Sequence, residues 1–302
     1  MMSMNSFDQL VKHLKNNCMR KTVAVVWAAD ASTQHAVTMA LTDGFINATF
    51  VGCVEQLQGL EDLHPHQQHI TYVDAESPDE AAAKAVALVR NGKADVLMKG
   101  LINTDNLLRA VLNKETGILP SGNVLTHVTV ADIPAYERLL LFSDPAVIPY
   151  PTHEQRIKQV EYISGMCQKL GTAAPRIALI HCSEKVNEKH FPHTAGYKEI
   201  AKMAQEGTFG QCVVDGPLDV KTSCCRESMA TKGINSPIDG KADALIFPDI
   251  EAGNVFYKTI TMWAGAQTAG LLQGTTAPVV VSSRSDSTQS KYYSVAVAAA
   301  CS

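Results

Sequence analysis

The chain has 302 residues, 46% of them apolar and 19% charged, which is enough sequence for two hydrophobic cores and too apolar for a disordered polypeptide. Its 26 basic and 30 acidic side chains leave a net charge of −4, so bulk electrostatics gives no drive toward nucleic acid or an anionic membrane. No apolar run approaches the roughly 20 residues of a membrane span, the N-terminus lacks the apolar core of a signal peptide, and the eight scattered cysteines then read as reduced thiols of a cytoplasmic protein.

An amphipathic helix opens the pattern, with Phe7, Leu10, Val11 and Leu14 at helical spacing behind Asn5 or Ser6 as cap. Strand-length apolar runs then alternate with helical patterns: TVAVVWA, ATFVGC, HITYVD and ADVLMKG. Between the last two, Ser77-Pro78 starts a helix and Gly92 stops it. This βαβα order predicts a mainly parallel sheet with helices on both faces. Near Leu119 the rhythm breaks. Two strand-like runs, NVLTHVTVADIP and RLLLFSDPAVIP, lie close together among Pro134, Pro145, Pro149 and Pro151. Alternation resumes with PRIALIH, QCVVDG, ADALIFPD and APVVVSS, which places a domain boundary near Thr126. His64, His66 and His69, like His190 and His193, read as surface loops without Cys or carboxylate partners at metal spacing.

In a parallel sheet, ligands bind where strand C-termini face helix N-termini, and four such junctions carry chemistry here. In LMKGLINTDNLL, Lys99 and Gly100 end a strand and Thr104 can cap the next helix, so Lys99 beside free N–H groups makes either an anion site or a solvated loop. In IFPDIEAGNVFYK, Asp249 and Glu251 suit a helix start. Gly253 and Asn254 are poor helix formers that fit a close approach and a polar contact, with Tyr257 and Lys258 one turn on. In VVVSSRSDS, Ser285 or Ser287 can cap a helix, Arg284 is a planar fork suited to phosphate oxygens, and Asp286 falls in the first turn. The fourth is Thr126-His127 at the domain boundary, where a lone histidine between apolar residues is more often a satisfied core residue. No GxGxxG, GxxxxGK[ST] or GxSxG pattern is present, which disfavours dinucleotide, P-loop and hydrolase readings.

These junctions resemble the phosphate acetyl/butyryltransferase family, most closely its butyryl branch. The resemblance runs from Val23 onward. Its specific pieces, in the family's order, are LMKGLINTDNLLRAVLNKETG, LTHVTVADIPAYERLLLFSDPA, SEKVNEK, VVDGPL, KGINSPIDGKADALIFPDIEAGNVFYKT and PVVVSSRSDS. It implies two doubly wound α/β domains with mainly parallel sheets, like those of isocitrate and isopropylmalate dehydrogenases. Residues 1–125 plus 269–302 would form a discontinuous first domain, residues 126–268 the second, with the active site in the cleft between them. The implied reaction is direct acyl transfer between CoA and phosphate, interconverting short-chain acyl-CoA plus phosphate with acyl phosphate plus CoA. No metal or nucleotide cofactor is implied, CoA being a substrate. A homo-oligomer, a dimer in the simplest case, is expected.

By the same resemblance Ser283, Arg284 and Asp286 are the catalytic candidates, with Asp286 as base for the thiol. Lys99, Thr104, Thr126, His127, Asn254, Tyr257 and Lys258 are expected to bind substrate. The chain departs from the family pattern at three places. Ser290 stands where the acetyl branch has aspartate; ILPSGN lacks the usual arginine; and Lys221 replaces an aspartate after GPL, with Asp219 displaced. These departures motivate an alternative, a divergent paralogue that binds CoA or acyl phosphate without efficient turnover. A metal- and NAD-dependent dehydrogenase is the third reading, and it lacks a ligand cluster in the sequence.

Overall fold

The computed structural model describes residues 4–17, 19–58, 61–281 and 286–302; Ser283 and Arg284, two of the catalytic candidates, lie outside these residues. In chain order the first elements are α1 (Phe7–Asn17), β1 (Lys21–Val26), α2 (Ala31–Thr42), β2 (Ile46–Gly52), α3 (Val54–Gln58), β3 (Ile70–Asp74), α4 (Pro78–Arg90), β4 (Val96–Lys99) and α5 (Thr104–Val111). Next come β5 (Thr126–Asp132), β6 (Leu140–Ser143), α6 (His153–Lys169), β7 (Arg176–Ile180), α7 (Tyr197–Gln205), β8 (Val213–Leu218), α8 (Val220–Cys224), α9 (Arg226–Thr231), β9 (Ala244–Ile246) and α10 (Ile250–Trp263). The series closes with β10 (Gln267–Gln273), β11 (Val279–Val280) and α11 (Thr288–Cys301).

Two compact units result. An N/C unit comprises residues 7–125 and 268–302, and a central unit comprises residues 126–267 with the segment up to Ser6. In the N/C unit the strand order is β3-β2-β1-β4-β11-β10, parallel except for β10 against β11. The fully buried run Val23–Val26, valine at three of its four positions, makes β1 an interior strand. Side-chain caps fix the helix starts. Asp30 accepts from Thr33 N at 2.9 Å for α2, and Ser77, followed by Pro78, accepts from Glu80 N at 3.3 Å for α4. Helix α11 is buried along most of its length, its polar Lys291 and Ser294 included, and Phe7 of α1 stacks on its Tyr293 with ring centroids 4.3 Å apart.

In the central unit the order is β5-β6-β9-β7-β8, antiparallel at β5/β6 and parallel beyond. Its core is built on Phe142, Leu245, Phe247, Ala178 and Ile260, with Phe142, Phe247 and Phe256 packed ring to ring at 5.1–6.0 Å. A reciprocal capping box starts α6: Thr152 Oγ1 accepts from Gln155 N at 3.2 Å and Gln155 Oε1 accepts from Thr152 N at 2.9 Å.

The α/β architecture follows the expectation; several local readings are corrected. Asn103, not Thr104, caps α5, because Asn103 Oδ1 accepts from Asp105 N at 3.3 Å, and Thr104 becomes the first helical residue. Ser287 caps α11 by accepting from Ser290 N, so Asp286 precedes the cap and is not in the first turn. The stretch Glu61–His69 coils into a 3₁₀ helix instead of a loop. His193 is not a surface residue: its ring is half-buried among His181, Phe191 and Tyr197. Strand β10 was not among the expected runs, since QTAGLLQ carries a central glycine and polar ends and draws its strand character from pairing with β11.

Candidate active site

In the N/C unit, strand order reverses between β1 and β4, the switch point at which an open parallel sheet leaves a crevice beyond its C-terminal edge. Lys99 ends β4 at this point and is buried, with 4% of its surface exposed, and its Nζ donates to Gly100 O at 3.3 Å. Gly100 is required there. A Cβ would sit 2.5 Å from Val26 O and 2.6 Å from Trp27 O, so only glycine lets the two strand ends close on each other. Thr104, half-buried, follows on the first turn of α5, and Asp286, also half-buried, stands just before α11.

One anchor at this edge escaped the sequence reading. Lys291, 5% exposed, donates to Asp30 Oδ1 at 3.0 Å, Ser32 Oγ at 2.6 Å and Thr33 Oγ1 at 3.1 Å, tying the first turn of α11 to that of α2. Burial opposes the charge on Asp30, but hydrogen bonds from Ser32, Lys291 and Thr33 outweigh it and bring its pKa down to about 2. Ser290 is engaged locally: its Oγ donates to Thr268 O at 2.6 Å. ILPSGN, without its arginine, is held by neutral contacts, Thr276 N to Ile118 O at 2.9 Å and Asn123 Nδ2 to Gly274 O at 2.7 Å.

In the central unit the parallel strands β6 and β9 end side by side at Ser143 and Ile246, and α10 starts just after β9. Asp249 caps α10 by accepting from Ala252 N at 2.8 Å. A Cβ on Gly253 would lie 2.6 Å from Asp144 O, so α10 rests directly on the segment that leaves β6. Asn254 adds a bond from its Nδ2 to Pro145 O at 3.0 Å. Tyr257 is half-buried against the core; exposed Lys258 lays its ammonium 5.0 Å from the Tyr257 ring centroid.

Thr126 and His127 begin β5 beside the same segment. Thr126 is fully buried and bonds to Asp144 Oδ2 at 2.8 Å, Ser143 Oγ at 3.0 Å and Gln159 Nε2 at 3.3 Å. His127 is half-buried; its backbone N–H donates to Asp144 Oδ2 at 3.0 Å. The sequence reading missed Asp144. Its signal was an aspartate at the C-terminal end of a buried strand, ahead of a proline, in LLLFSDPA. The structure thus brings Thr126, His127 and Asn254 to one segment of the central unit and Lys99, Thr104 and Asp286 to one edge of the N/C unit.

Lys221 is exposed, and Asp219 is already engaged as the cap of α8 and as partner of Lys232 at 2.6 Å. Among the described residues no group of three His, Cys, Asp or Glu side chains could hold a metal ion, and no helix is long and apolar enough to cross a membrane.

Residues 73–299 match the family described as phosphate acetyl/butaryl transferase. The chain is 37% identical over 295 residues to the phosphate butyryltransferase of Clostridium acetobutylicum, covering 97% of each, and 36% identical over 280 residues to the phosphate acetyltransferase of Thermotoga maritima, covering 92% and 94%. A branched-chain phosphotransacylase from Enterococcus faecalis V583 superposes with a TM-score of 0.81 at 31% identity, over 93% of this chain and 98% of that one. A 4-hydroxythreonine-4-phosphate dehydrogenase from Klebsiella pneumoniae shares the fold at a TM-score of 0.54 and 12% identity, over 92% and 98%. The chain belongs to the phosphate acetyl/butaryl transferase family.

Proposed function

We propose that the chain interconverts a short-chain acyl-CoA plus inorganic phosphate with the acyl phosphate plus CoA, favouring acyl groups longer than acetyl. The observation that carries this reading is the 37% identity to a phosphate butyryltransferase across 97% of both chains. The non-catalytic alternative has no support in the relatives, and the departures that motivated it fall where neighbouring residues have made other bonds.

Transfer of the acyl group needs an anion site, a base for the CoA thiol and donors for the tetrahedral oxyanion. Arg284, with Ser283, is proposed to hold the phosphate or phosphoryl oxygens, since a guanidinium matches them in pairs. Asp286 is proposed as the base, because a thiol of ordinary pKa is only a few per cent ionised at neutral pH. Lys99, Thr104, His127, Asn254, Tyr257 and Lys258 are proposed to hold the substrates. No metal or nucleotide enters this scheme. A cytoplasmic homodimer completes the proposal; Val255, Met262 and Trp263, 64%, 71% and 80% exposed on α10, offer an apolar face for a second copy.

The test is phosphate-dependent CoA release from a series of acyl-CoAs. C3 to C5 substrates are expected to turn over at least as fast as acetyl-CoA. A clear acetyl preference would reverse the chain-length assignment, and inactivity on every acyl-CoA would overturn the function.

A further inference from the structure

Asp144 is 1% exposed, yet its carboxylate is the most heavily bonded side chain of the central unit's β6–β9 edge. Oδ1 accepts from Ala146 N and Val147 N, each at 2.8 Å. Oδ2 accepts from Thr126 Oγ1 at 2.8 Å, His127 N at 3.0 Å and Ile148 N at 3.2 Å. An ionised carboxyl offers about four lone-pair sites, so these donors occupy it fully. No capacity remains for a substrate proton. Asp144 is therefore not a base.

The hydroxyl of Thr126 is committed in the same way. Its single hydrogen points to Asp144 Oδ2, so Ser143 Oγ and Gln159 Nε2 must be donors to it. One hydrogen and two lone pairs are then spent, and Thr126 has nothing left for a ligand. This revises its assignment as a substrate contact: the buried hydroxyl works through the carboxylate. What the carboxylate controls is position. It joins the start of β5, through His127 N, to the turn at 144–148, and that turn carries the carbonyl of Pro145, which receives Asn254, and the carbonyl of Asp144, which meets Gly253.

We propose that Asp144, with Thr126 as its relay, is a positioning residue for acyl transfer: it sets the separation of His127 and Asn254. The inference rests on the function proposed above. Asn at this position would keep the shape but turn one acceptor into an N–H₂ group facing the backbone N–H donors of His127 and Ile148, two donor-to-donor contacts in a buried site. The two proposed substrate contacts then separate without any loss of a reacting group.

Steady-state kinetics with acyl-CoA and phosphate varied in turn would compare wild type with Asp144→Asn, Thr126→Val and Val160→Ala. Val160, fully buried on α6, serves as a destabilised control outside the site. Per folded molecule, Asp144→Asn should lose about 10- to 100-fold in kcat, the scale of a misplaced reactive geometry, and Thr126→Val a smaller share. Val160→Ala should lower the melting temperature yet keep kcat within about 2-fold. Wild-type kcat in folded Asp144→Asn, or a loss no greater than that of Val160→Ala at matched destabilisation, would overturn the assignment. Should Asp144→Asn fail to fold, an unchanged kcat in Thr126→Val would overturn it equally. An inactive wild type would instead sink the function, and is read before any variant is made.

Discussion

Two aspartates, one just after β6 and one capping α2, show how neighbours decide what a carboxyl can do. Asp144 is closed off by four backbone N–H groups and the Thr126 hydroxyl, whereas Asp30 keeps its charge through a buried lysine, the Ser32 hydroxyl and the Thr33 N–H. The pKa of Asp30 is depressed, from 3.8 to about 2, so its ionised form favours the folded state. The resulting stability is fully present above the unfolded pKa and is lost as pH falls through the folded one. In Asp30→Asn the cap survives, because asparagine also accepts from a helix N–H, but the charge is gone. Chemical denaturation should show wild type more stable than Asp30→Asn by a constant margin above about pH 5, with the gap closing between about pH 4 and pH 2. A pH-independent gap would mean that ionisation of Asp30 contributes nothing to stability.

At the scale of the element, glycines divide by what surrounds them. Gly253 and Gly165 both lie inside helices, where alanine is intrinsically better by about 1 kcal/mol. Around Gly165 nothing stands within 4 Å of a built Cβ, so Gly165→Ala should stabilise by up to that amount. At Gly253 the same methyl meets the Asp144 carbonyl at 2.6 Å and backbone cannot yield as a flexible side chain can. The expected balance is a loss of about 1–3 kcal/mol, with reduced acyl transfer as α10 is levered from the segment after β6. Thermal melts of both variants check the sign, and equal shifts would show that the contact relaxes freely. The sequence revealed Gly253 as out of place in a helix but not what it touches, since that carbonyl is over a hundred positions away. Much of the local chemistry was legible: Ser77-Pro78, Asp249 and the strand runs before them formed the elements they announced, whereas the cap of α5 fell one residue before Thr104. Partners distant in the chain were not. Thr126 and Asp144, and Lys291 and Asp30, each depend on a pairing that no window of neighbouring residues contains.

At the scale of the whole molecule, the apolar face of α10 bears on assembly. Val255, Met262 and Trp263 recur at helical spacing and remain exposed in the single chain. Sedimentation at micromolar concentration should show one species of twice the chain mass, and Trp263→Lys should shift it toward the single chain, because aromatic anchors dominate such contacts. A wild-type monomer at that concentration would end the dimer proposal.

The discontinuity of the N/C unit has a consequence for biosynthesis. A ribosome delivers residues 126–267 in one stretch, so the central unit can collapse onto its own core while translation continues. The N/C unit must wait. Its β4 edge stays unpaired until β11 arrives, and the apolar bed shared by α1 and α2 stays uncovered until α11 is made. Through that interval the nascent polypeptide displays an open strand edge and a bare hydrophobic surface, the two features that chaperones recognise and that aggregation exploits. Codon or temperature changes that lengthen the delay between residue 125 and residue 268 therefore act on the yield of folded protein, while leaving the finished fold unaltered.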